Sequence, residues 1–183
     1  MTTIVRCFKD KKGTSFPLIA AITLSLVIVM CGVLEFFRLN IIAAGVKEAL
    51  QDAVIISVND NYANVYHGVR EGYSGGYLPW HPEFEYSVDY GNVYGHMKRV
   101  LGVKLENGKY VKYSSGAVEY RLSGLKITVG NPPLAPTNPE EVPAFEIDTV
   151  MILEAPMRFA GMNLPDMRVT LKVQAGYTEV FSR

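Results

Sequence analysis

The residues able to do chemistry are few and scattered along this 183-residue chain. His67, His81 and His96 lie 14 and 15 residues apart, without the short His or Cys/His spacing that closes a metal site. Glu83 and Glu85 alternate on a strand-like run and share one face, where two carboxylates read as a solvated edge. Pro139-Glu140-Glu141 reads as a solvated turn. No Gly-rich phosphate loop, G-x-S-x-G or H-E-x-x-H is present. The sequence thus offers no catalytic residue, no metal ligand set and no cofactor site, and it points away from an enzyme. With 18 basic against 18 acidic residues, it carries no field that would favour nucleic acid.

One charged pair stands apart. Glu35 and Arg38 are i, i+3 neighbours that follow residues 14–34, TSFPLIAAITLSLVIVMCGVL, a run without a charge. As a helix this run spans roughly 30 Å, the thickness of a bilayer's hydrocarbon core. Charges at its end either mark the exit from lipid or pair with another subunit's helix. Ser15 suits an N-cap and Pro17 the first turn. Arg6, Lys9, Lys11 and Lys12 precede the run, so the positive-inside rule keeps residues 1–13 in the cytoplasm. The protein is then a single-pass protein of the cytoplasmic membrane, with its C-terminal head outside. A cleaved signal peptide would have a shorter apolar core ending in small-x-small, which Met30-Cys31-Gly32 does not supply. The large Met30 before Cys31 is also wrong for a lipoprotein signal, and Cys31-Gly32 reads as a small-residue packing spot. Cys7 and Cys31, the two cysteines, fall before and within the span and are not placed to pair.

Beyond Arg38 nothing stops the helix. Leu39, Ile42, Val46, Ala49, Ala53 and Ile56 step by three and four residues, a single apolar stripe. Lys47, Glu48, Gln51 and Asp52 occupy the other faces. The spacing predicts helix to about Val58, with residues 35–58 forming an amphipathic stem. Its stripe must cover either the protein's own head or other subunits. Glu35, Arg38 and the stripe residues are therefore the candidate subunit contacts.

Residues 59–82, rich in Gly and Tyr, read as a linker. Residues 83–183 read as a β-rich exported head. Within the head, residues 84–90 alternate aromatic and polar side chains. Residues 100–105 and 109–113 flank Asn107-Gly108, a strong hairpin signal. Residues 118–129 form a long strand with Gly124 at a break, and a proline-rich stretch, 131–143, leads to a strand over 145–159 and a last one over 167–180. The fold class expected is α+β, a long N-terminal helix followed by a β-rich head packed on the helix extension. The 11 tyrosines suit either half-buried strands or an adhesive, ligand-binding surface. The second option gives an alternative function, a membrane-tethered binding module.

Lys11-Lys12-Gly13, the apolar run, Glu35-Phe36-Phe37-Arg38 and the Ala-containing extension Val46-Lys47-Glu48-Ala49-Leu50-Gln51-Asp52-Ala53 together resemble the TadE-like proteins, minor pseudopilins of tight-adherence (type IVc) pilus systems. A proline-bearing strand, a short Gly/Pro loop and a closing strand near the C-terminus add an outline likeness. The resemblance implies a non-catalytic subunit of a pilus or secretion assembly whose partners are the lipid bilayer and other pilin-like or membrane subunits. It also implies a prepilin-type peptidase acting between Gly13 and Thr14. Two features depart from the family pattern. Leu18 and Ile19 stand where pilin-like proteins carry a glutamate after the processing glycine, and Phe37 replaces the glycine of E/D-F-G-R.

Overall fold

The computed structural model describes residues 15–63, 77–80, 83–130, 145–159 and 161–176. Gly13 and Thr14, His67, His81 and the proline-rich stretch lie outside them. The elements run α1 (Ser15–Ala63), β1 (Tyr77–Trp80), β2 (Glu83–Tyr86), α2 (Val93–Leu101), β3 (Lys104–Glu106), β4 (Lys109–Ser114), β5 (Ala117–Gly130), β6 (Glu146–Phe159) and β7 (Met162–Gly176). The class is α+β, a long N-terminal helix followed by an antiparallel five-stranded sheet. Two compact units divide the chain, one of Met1–Ile41 with Met157–Pro165, the other of Ile42–Pro156 with Asp166–Arg183.

In the first unit, α1 presents Phe16, Ile19, Leu24, Leu26, Val29 and most of their apolar neighbours exposed. It is long and apolar enough to cross a membrane. The helix satisfies its own backbone, so only the side chains need a solvent, and lipid suits these.

In the second unit the same helix changes character. Val46, Ala49, Leu50, Ala53, Val54 and Val58 are buried, at the helical spacing the sequence suggests. Ile56 is the exception, since it is 37% exposed and the stripe passes instead through Ser57 to Asn61. These polar residues tolerate burial because their hydrogen bonds are made. Ser57 Oγ donates to Ala53 O (3.0 Å). Asn61 Nδ2 donates to Ser57 O and to Asp89 O, and Asn61 Oδ1 accepts from Asp89 N at 2.8 Å. Apolarity alone points to Ile56, whereas the buried face carries the hydrogen-bonded pair Ser57 and Asn61. The helix also continues past Val58 to Ala63, and β1 and β2 pair as a hairpin across residues 77–86, so both ends of the expected linker are regular structure.

The segment expected as a strand over residues 100–105 is mostly something else. Val93–Leu101 is helical, and only Lys104–Glu106 joins the sheet. Asn92 caps the helix by accepting from Gly95 N, and Gly102 ends it in the left-handed conformation (φ 62°), the usual pair of signals. Val93 and Met97, one turn apart, are its buried residues.

The sheet order is β3-β4-β5-β6-β7. Asn107-Gly108, both with positive φ, turns β3 into β4, and Ser115-Gly116 does the same for β4 and β5, as two-residue hairpins require. β5 is bent at Gly124, not broken there. Ser123 pairs with Ile152 and Lys126 with Val150, so β5 holds one residue more than β6 across this step, a β-bulge. Its effect is on side-chain phase. Tyr120 and Leu122 are buried before the bulge, whereas Leu125, Ile127 and Val129 are the more covered residues after it. Without the extra residue, Leu122 and Leu125 would face opposite sides of the sheet. Leu125 N, released from the ladder, donates to Tyr94 Oη at 3.2 Å, and the Tyr94 ring stacks on Tyr110 with centroids 4.3 Å apart. β6 alternates strictly, with Ile147, Thr149, Met151, Leu153 and Ala155 buried. Pro156 lies past the last β5 partner of β6, Glu154, where its missing N–H removes no bond to β5.

The stem residues give a sharp test. Asn61→Ala removes the buried amide that bonds both Asp89 N and Asp89 O and should lower unfolding stability by about 2 kcal/mol, whereas Ile56→Ala should cost no more than about 1 kcal/mol. Urea unfolding of the full chain in detergent would measure both. Equal losses would mean that the stripe follows Ile56 after all.

Candidate functional site

Of the charged residues singled out above, Glu35 has the most organised surroundings. It sits one residue past the charge-free run and is largely covered, as is much of Arg38. Arg38 grips it with both forks, Nε to Oε2 at 2.8 Å and Nη2 to Oε1 at 2.7 Å. This bidentate geometry is among the stronger forms of ion pair. The same Oε1 accepts the backbone N–H of Arg158 on β6 at 2.8 Å. A third contact lies one turn back on α1, where a Cβ on Gly32 would stand 3.5 Å from Phe159 Cε2. Gly32 therefore brings the ring close to the helix axis, while an alanine would also fit. The helix and the β6 end are thus joined inside the first unit by one carboxylate and one ring.

Glu35 is paired within its own chain, through a backbone amide 123 residues away that no local pattern could have indicated. Leu39, Ile42, Val46, Ala49 and Ala53 are likewise buried within the chain. Only Ile56 of that set is exposed.

The second polar constellation is on β3–β7. Glu106, Asn107, Lys109, Val111, Tyr113, Val118, Arg121, Glu154 and Asp166 line a groove of about 410 Å³. Its groups neutralise one another. Lys109 Nζ donates to Glu154, Arg121 Nη1 to Asp166 at 3.0 Å, and Tyr113 Oη to Glu106 at 2.6 Å. Arg168 approaches Glu154 at 3.9 Å. The Lys109 hydrogen bond holds the Glu154 carboxyl below its ordinary value, and burial offsets this only in part. Such pairs hold strands in register.

The remaining candidates stay dispersed. Glu83 and Glu85 are both exposed, and His96 lies on α2. Tyr120 is buried, and burial pushes its hydroxyl up to about 12, whereas Tyr94 and Tyr110 stack and Tyr113 is exposed. Among the described residues no three His, Cys, Asp or Glu side chains gather as a metal site. Cys31 is exposed on α1.

Two measurements check these interactions. Glu35→Gln keeps an acceptor for the Arg158 amide and Glu35→Leu removes it. Hydrogen exchange at Arg158 should therefore accelerate in the leucine variant and stay near wild type in the glutamine variant; equal exchange in all three would contradict the contact. For Glu154, a depressed folded-state pKa means stability that is present above the ordinary value of 4.5 and lost as pH falls through the folded value. Glu154→Gln should flatten that acid limb in thermal melts taken from neutral pH downward. Comparison of the chain with models of protein families, with curated proteins and with solved structures finds no match.

Proposed function

We propose that this protein is a non-catalytic, single-pass subunit of a pilus- or secretion-type assembly in the cytoplasmic membrane, similar in plan to the TadE-like pseudopilins. The observation that carries the reading is the 49-residue helix Ser15–Ala63, roughly 70 Å long by the standard rise. Its first part is apolar on every side and uncovered, and its later part is buried along one stripe. An anchor alone needs only the first part. A helix that carries on into a folded head transmits position from membrane to head, as an assembly subunit requires. The basic residues before the span set the N-terminus inside and the head outside.

Neighbouring subunits would have to use the outward side of the stem, because the Leu39–Ala53 stripe is already occupied. That side carries Ile55 (40% exposed), Ile56 and the bare Gly45. Cysteine placed at Ile55, in a chain with Cys7→Ser and Cys31→Ser, should crosslink to other membrane subunits in native membranes. Cysteine at the buried Val54 should not. If neither position yields an adduct while the protein stays membrane-bound, the assembly reading fails. N-terminal sequencing of the extracted protein then separates two forms of it: a start at Thr14 indicates prepilin-type processing, and an intact Met1 indicates a permanent anchor.

A further inference from the structure

We propose that the adjoining ends of β6 and β7 form a second membrane contact, a foot that inserts into the outer bilayer interface beside the helix. The proposal rests on the reading of residues 14–34 as lipid-embedded, and it adds a lipid-binding role to a part of the head.

The first support is depth. Phe159 lies over Gly32, within the charge-free run, and the Arg158 amide is bonded to Glu35 just past its end. These contacts fix the strand ends at the level where the helix leaves hydrocarbon. Whatever medium surrounds Gly32 and Glu35 must also surround the residues attached to them.

Composition is the second support. Residues 157–165 read MRFAGMNLP, with one basic residue and no acidic one. Hairpin ends facing water favour Asn, Asp, Gly and Ser, yet here Met162 is 60% and Leu164 is 43% exposed. They are two apart on β7 and share one face of it. Phe36 and Phe37, both exposed, add an edge-to-face ring pair (centroids 6.1 Å apart) at the same level of the helix. Apolar side chains with aromatic rings are the usual occupants of a membrane boundary. Arg158, exposed and one residue from Phe159, suits the phosphates of anionic headgroups. The occupant of this surface is therefore the lipid interface, continuous with the lipid around α1.

The test uses the full chain in vesicles of phosphatidylcholine and phosphatidylglycerol. Trp80, the one tryptophan, is replaced by Phe, and a single probe is introduced as Met162→Trp, Leu164→Trp or, inside the span, Leu26→Trp. Lipids brominated high on the acyl chain should quench Met162→Trp and Leu164→Trp, with blue-shifted emission, and lipids brominated near the chain end should quench Leu26→Trp. Quenching at Leu26→Trp with water-like, unquenched emission at both β7 positions overturns the foot and leaves the anchor standing. No quenching at any position overturns both. A spin label at Met162→Cys, with Cys7→Ser, Cys31→Ser and Trp80 intact, reads the same depth without altering β1. Its collisions with oxygen should exceed those with a water-soluble nickel complex, and the reverse order overturns the proposal.

Discussion

The continuous α1 helix is the constraint on which everything else depends. Because its backbone hydrogen bonds close within the helix, only its side chains decide which surroundings each part of the element suits. What changes along it is the distribution of side chains. From Phe16 to Leu34 most apolar residues are exposed, and from Val46 the buried ones lie on one stripe. A helix of this kind cannot be placed in a single solvent. The first part has the length and apolarity of a membrane-crossing helix, and the stripe is covered by the folded head.

Where elements meet, a satisfied polar group marks the junction. Asn61 exchanges hydrogen bonds with Asp89 through both ends of its amide. Tyr94 takes up the N–H that the bulge at Gly124 frees. Glu35 accepts the Arg158 amide while holding Arg38. Each contact costs desolvation and is favourable only when its geometry is right, so it specifies one arrangement where apolar packing would accept several. Gly91 shows how tight the first junction is. It has φ 67°, and a Cβ there would meet Ser57 Oγ at 2.2 Å.

The charged face of the sheet has a different role from the one such a cluster first suggests. Lys109, Glu154, Arg121, Asp166, Glu106 and Tyr113 are committed to one another across the strands. Partly exposed pairs contribute little energy singly. They do penalise a slipped register, because a one-residue shift would break these pairs and bring Leu122 and Leu153 to the surface.

The amino-acid sequence by itself determined the elements whose cause is local. The charge-free run, the stem's periodicity, the Asn107-Gly108 turn and the glycine in β5 depend on near neighbours, and each can be read from residue type and spacing. It misled where two local patterns compete. Residues 100–105 carry Val100, Val103 and Leu105 in a strand-like run, yet Asn92 and Gly102 cap residues 93–101 as a helix. Apolarity favoured Ile56 where the helix face required Ser57 and Asn61. Only the tertiary structure decided who partners whom. The stem stripe is buried by the chain's own fold, and Glu35 is bonded to a backbone amide from the far end of the sequence. Those contacts depend on how strands and helix meet in space, which no spacing within either segment encodes.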